Sequence, residues 1–320
     1  MTRKERPFAP FASLDADRVG KWRPDPPLKA PASIGLGLAA LTIVCLLTTS
    51  TRGVERGRED HLTEPVYRVS HQEASTPRSE GKPMTNSQEH PLVPALQFAK
   101  AGLAELDTRI KDYSCTLIKR ERVGGTLNDY EYIFTRVRHQ PFSVYMYFLG
   151  PAAIKGRECI YVAGQNNGKL IAHEGQGFKA KLGVFRLDPN GMLAMRGQRY
   201  PITEVGIRTL TTRLIEVAEK DSQFGECEVK WFKGTKVDNR SCTCIQVTHP
   251  VPRKEFRFHV ARVFIDDKLQ FPIRYESYQW PSRPGGPPLL DEEYTYVNMK
   301  VNNGFTDADF EERNPNYRFQ

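Results

Sequence analysis

Six cysteines, seven histidines and three acidic clusters are the residues of this chain whose types and spacing could do chemistry. Cys242 and Cys244 flank one residue, and on a strand that spacing sends both side chains to the same face. Two such thiols could begin a metal site, but no second close pair of Cys or His completes a tetrahedral set, so no metal is expected. Cys115, Cys159, Cys227, Cys242 and Cys244 are five, an odd number that leaves at least one thiol over. The expectation is an inter-strand disulfide of Cys227 with Cys242 or Cys244, or simple buried thiols. Asp266-Asp267, Asp291-Glu292-Glu293 and Asp307-x-Asp309 would serve general acid–base catalysis only if two carboxylates faced one cavity. Asp266-Asp267-Lys268 reads as a hairpin turn and 307–309 as a solvated tail. His139, His173, His249 and His259 are scattered, with no nucleophile in an elbow nearby. Gly124-Gly125 and Gly285-Gly286 lack the Lys-Ser/Thr of a phosphate loop. No catalytic residue and no cofactor is expected.

The chain that must position these residues has 320 residues and a formal charge of +8, with mixed charge throughout. All but four of its 33 aromatics lie in 91–320, so the core belongs there, in one domain of β-rich size. The positive excess in that domain is too dilute for a nucleic-acid footprint. Residues 1–29 form a basic tail. Residues 30–51 run APASIGLGLAALTIVCLLTTST without a charge, the length and composition of a bilayer-spanning helix. Residues 52–90 are polar and read as a flexible linker. The near-end Lys/Arg count is even on the two sides of the span, and the three basic residues near Met1 tip the orientation. The chain is therefore expected in the cytoplasmic membrane as a single-pass protein, with its C-terminal domain exported to the periplasm.

Within the domain, apolar spacing predicts a helix over 92–110 and a second over 203–220. Short β-rich runs at 112–123, 130–138, 142–149, 157–163, 169–173, 227–232, 241–247, 255–265, 269–280 and 292–301 are separated by turn residues. The fold class is α+β: one large curved antiparallel sheet with two main helices packed on it. Phe142, Val144, Met146 and Phe148 point to one face of their strand, and Tyr145, Tyr147 and Leu149 to the other. Two apolar faces need helices on one side and either a plug or a ligand on the other. Phe134, Val144, Met146, Phe148, Phe256 and Phe258 are the candidate lining of a cavity for a hydrophobic ligand or lipoprotein.

The runs DYSCTLIKRERVGG, RHQPFSVYMYFLGP, GRECIYVAGQNNGKLIAHEG, QRYPITEVGI, RVFIDDKLQFPIRYESYQWP and EEYTYVNMKVNNGFTDADF, in that order, resemble the family of domain of unknown function 1571 over about 110–319. More distantly, VFIDDKLQFPIRYESY and NMKVNNGFTDADF resemble the LolA/RseB group of lipoprotein carriers and envelope-stress regulators. That resemblance implies a half-barrel sheet whose concave side, lidded by helices, accepts acyl chains, and a periplasmic binding or sensing role without catalysis. An anchored domain differs from the soluble carriers, which favours local binding over transport between membranes. A structural or sensing module with a self-filled core is the alternative, and a hydrolase the third.

Overall fold

The computed structural model describes residues 67–68, 73–74 and 89–319. The basic tail, the charge-free run 30–51 and nearly all of the linker lie outside the described residues. In chain order the elements are β1 (Tyr67–Arg68), β2 (Glu73–Ala74), α1 (Val93–Arg109), β3 (Asp112–Val123), β4 (Thr126–Leu127), β5 (Glu131–Arg138), β6 (Ser143–Gly150), β7 (Glu158–Val162), β8 (Leu170–His173), α2 (Gly177–Ala180), β9 (Val184–Leu187), α3 (Ile207–Asp221), β10 (Glu228–Val237), β11 (Arg240–Thr248), β12 (Val260–Asp266), β13 (Pro272–Gln279) and β14 (Leu289–Val301).

The strands form one open sheet in the order β1-β10-β11-β12-β13-β14-β3-β5-β6-β7-β8-β9, with β2 beside β10 and β4 beside β3. Every pairing is antiparallel. Two meanders, β3–β9 and β10–β14, become one sheet because β14 lies against β3, from Glu292 opposite Glu121 to Val301 opposite Tyr113. Register shifts interrupt five of these pairings, and such bulges bend and twist a strand. Asp238 and Asn239, both at positive φ, make the two-residue turn between β10 and β11.

The two long helices cover one face. Leu106 and Ile110 at the end of α1 and Ile207 at the start of α3 pack on Leu117, Ile133, Val144, Met146 and Phe148. The second helix starts later than its apolar spacing predicts. Gly206, at φ +121°, turns the chain beneath the Tyr113 hydroxyl, which accepts the Ile207 N–H at 3.1 Å. A Cβ on Gly206 would come within 2.9 Å of that oxygen. The first N–H of the helix thus finds a partner from β3 in place of a side-chain cap of its own.

The opposite face of β6, with Tyr145 and Tyr147, is covered by the chain's own end. Phe310, Tyr317 and Phe319 pack there with Tyr145, Ile160 and Ile171. The reading of 307–309 as a solvated tail holds for the exposed Asp307 and Ala308 and fails for Asp309, which is half-buried against Arg136. Asp309 closes a capping turn with Thr306 and takes an ion pair from Arg136 at 3.1 Å, while Asp307 pairs with Arg138 at 2.8 Å. The expected strand 255–265 also begins later, at Val260. Pro250 and Pro252 lead into that segment and remove two ladder donors. Phe256 finds its burial by stacking on the His249 ring, centroids 3.9 Å apart.

Candidate functional site

A cavity of about 410 Å³ opens between the helix-covered face of the sheet and the segment 182–206 that follows β8. Strand alternation decides what it sees. Leu117 of β3, Ile133 of β5 and Met146 and Phe148 of β6 form the apolar floor, and Leu210, Leu214 and Val217, one face of α3, form a wall. Leu182, Phe185 and Leu193 close the other side. The volume suits a single drug-sized or chain-like guest, and an apolar lining with a few convergent polar groups is the usual make-up of such a site.

The largest group of polar side chains gathers around Arg199, while Arg157 with Glu174 and Arg213 with Glu204 line the cavity elsewhere. Glu121 of β3 and Glu292 of β14 both approach the Tyr294 hydroxyl, at 2.6 Å and 3.3 Å. Arg199 holds Asp291 at 2.9 Å and Glu292 at 3.2 Å, and its own backbone N–H donates to Glu121 at 3.0 Å. Lys119 reaches Glu121 at 3.0 Å and Glu131 at 3.4 Å. Burial pushes the Glu292 carboxyl above its ordinary range against the pull of Arg199, and Asp291 and Glu121 add to the push. Burial, helped by Glu292, holds the Tyr200 hydroxyl up at about 12, so it stays a donor at neutral pH.

This arrangement can bind a polar group of a guest, because its donors and acceptors converge beyond Leu117 on β3. It is poorly set for nucleophilic chemistry. Cys159 lines the cavity, but burial pushes its thiol to about 12, which leaves almost no thiolate. Both carboxylates are engaged by Arg199 or Tyr294. Among the described residues, no group of three or more His, Cys, Asp and Glu is disposed to hold a metal ion.

The six residues singled out from the sequence fall in four places. Met146, Phe148 and Phe258 line the cavity. Val144 lies on the same face, wholly buried in the core beside them. Phe134 is on the opposite face, packed with the C-terminal segment. Phe256 stacks on His249 and meets Phe224 edge to face. Cys242 and Cys244 share one face, as their spacing requires, and are buried with Phe264 on the Arg274 side of the sheet, away from the helices. All five thiols of the domain are free, so no disulfide joins Cys227 to either of them in the structure. Sequence reasoning saw the run Asp291-Glu292-Glu293 without its meaning. Glu292 faces the cavity, and Glu293 turns to the other face and pairs with the buried Arg274 at 2.6 Å. The signal that could have found the polar end is the run QRYP, which supplies Arg199 and Tyr200.

The model of the family described as "Protein of unknown function (DUF1571)" matches residues 110–319, the span over which the sequence motifs resemble that family. No curated protein matches the sequence. Among solved structures the chain is similar to a DUF1329 family protein from Desulfovibrio piger, at 13% identity over 69% of this chain and 98% of that one, with a TM-score of 0.34. It is similar to a LolA superfamily protein from Nitrosomonas europaea at 11% identity over 67% and 97%, with a TM-score of 0.28. It is also similar to the Mycobacterium tuberculosis lipoprotein LppX at 15% identity over 66% and 98%, with a TM-score of 0.37.

Proposed function

Since the chain belongs to the DUF1571 family, whose matched span takes in the sheet and the cavity, we propose that family members of this kind bind an amphiphile, with an acyl chain on the floor of the cavity and its headgroup at the Arg199 end. The supporting observation is the division of one cavity into an apolar floor, built by β3, β5 and β6, and a polar end, built by Glu121, Arg199 and Glu292. Burying a chain there contributes about 0.8 kcal/mol per methylene, so roughly ten methylenes supply about 8 kcal/mol to set against the cost of ordering the guest. A lipid, a free fatty acid and the acyl chains of a lipoprotein share this chemistry. The cavity serves as a container and not a reaction vessel, because its thiol is kept protonated and its carboxylates are engaged. The proposal places the domain outside the cytoplasm, anchored through residues 30–51.

Photocrosslinking tests the reading. The full chain, reconstituted in vesicles with a diazirine-bearing palmitate and irradiated, should carry adducts on peptides of β3, β6 and α3. Met146→Asp puts a charge on the floor and should reduce those adducts at least tenfold. Met146→Leu should keep them and guard against a folding defect. Adducts confined to surface peptides, or equal labelling of the aspartate variant, would overturn the proposal.

A further inference from the structure

Six large apolar side chains stand exposed among the described residues, and four of them lie between residues 178 and 193: Phe178 at 76%, Leu182 at 55%, Met192 at 86% and Leu193 at 67%. The other two, Val251 and Leu289, lie elsewhere in the chain. The segment consists of α2, the edge strand β9 and the tight turn closed by the Gly191 N–H on the Asp188 carbonyl. A folded domain seldom leaves large apolar side chains gathered in water unless something meets them. Leu182 and Leu193 also line the cavity, so two of the four exposed side chains border it.

The surrounding charges say what meets it. Lys181 and Arg196 are exposed, and neither has an ion pair among the described residues. Arg186 is held by Glu312, and the exposed Asp188 accepts the Asn190 N–H in its own turn. Protruding apolar tips with unpaired cations beside them match a bilayer, whose anionic headgroups attract Lys and Arg while the acyl region takes the apolar groups. The charge-free run 30–51 lies in the same chain.

We propose that residues 178–196 are a membrane-contact tip. Phe178, Leu182, Met192 and Leu193 enter the acyl boundary of an anionic bilayer, with Lys181 and Arg196 at headgroup level. An acyl chain could then pass from bilayer to cavity beside Leu182 and Leu193. The contact stands apart from the cavity reading: a tip could dock on a bilayer whether or not the cavity ever holds a lipid.

The test uses full-length protein reconstituted in vesicles of equal parts phosphatidylcholine and phosphatidylglycerol, with acyl chains brominated or not. Tryptophan is placed at Phe178, at Met192 or, as control, at Val251, each an exposed site where the ring costs little folding. The signal of the unsubstituted protein is subtracted. Bromolipid should quench F178W and M192W several-fold more than V251W, and replacing phosphatidylglycerol by phosphatidylcholine should weaken that quenching. Equal quenching at the three sites, or the absence of any, would overturn the tip. The palmitate adducts on β6 are read separately, so the tip can fail while the cavity reading survives, and the reverse.

Discussion

At the far end of α3 from the Tyr113 cap, Asp221 and His249 face one another in the interior, Oδ2 and Nε2 3.4 Å apart. Neither atom has a hydrogen-bond partner among the described residues. Burial pushes the Asp221 carboxyl from 3.8 up to about 6, against the weaker pull of Arg257, His90 and Lys220. Burial also lowers His249, partly offset by its bond to the Phe258 carbonyl. The sign of the linkage follows from proton counts. Between pH 3.8 and about 6 the folded chain holds the Asp221 proton that the unfolded chain has released, so this group's contribution to stability falls as pH rises through that window. Above it the folded protein carries a buried charge. Asp221→Asn mimics the protonated acid and should match the parent near pH 4. At pH 7 it should exceed the parent by about 1–2 kcal/mol, the pKa shift at 1.36 kcal/mol per unit reduced for partial solvation. His249 contributes the opposite slope in both proteins and largely drops out of the difference. Urea unfolding at a series of pH values reads the effect, and a stability difference that does not change with pH would exclude it.

Among the elements, the C-terminal segment shows how much depends on contacts that no local pattern reveals. The strand β6 is legible from its own residues, because Val144, Met146 and Phe148 alternate with Tyr145 and Tyr147 and each set demands a cover. Both long helices and most strands follow from the same reasoning. Phe310, Tyr317 and Phe319, by contrast, are irregularly spaced among charged residues, and neither helical nor strand period connects them. Only the apolar second face of β6 and β7 gives them a place. Tyr317 stacks flat on Tyr145 at 3.9 Å, and its hydroxyl accepts from Arg136, whose guanidinium lies over the rings of Phe134, Phe305 and Tyr145. The polar end of the cavity was hidden for a related reason: Glu121, Arg199 and Glu292 are far apart in sequence and meet only when β14 docks on β3. Phe310→Ala should cost about 3 kcal/mol, the usual cost of emptying a buried phenylalanine site. The cavity is on the other face, so the palmitate adducts should persist wherever the variant is folded. A loss under about 0.5 kcal/mol, the range of ordinary surface changes, would show that the segment is a loose appendage.

For the molecule as a whole, the distribution of charge bears on which side of a membrane the domain works. The span expected at 30–51 has basic residues at both ends, and the three near Met1 weigh toward an inside N-terminus. The domain's thiols are compatible with either side of the membrane. Burial raises Cys227 and Cys242 to about 12 and Cys115 and Cys244 further, so little thiolate is available to form stray disulfides. A tip carrying Phe178 and Met192 also needs a bilayer within reach, and an anchor in the same chain supplies one. We propose an exported domain near the outer surface of the cytoplasmic membrane, which would accommodate these features. Spheroplasts with an intact cytoplasmic membrane, treated with protease, should then lose the domain of residues 91–320. The N-terminal tail should become accessible only after lysis. A domain that survives until the membrane is broken would place the cavity in the cytoplasm. It would leave the amphiphile-binding chemistry of the site untouched and reverse the side from which a lipid must arrive.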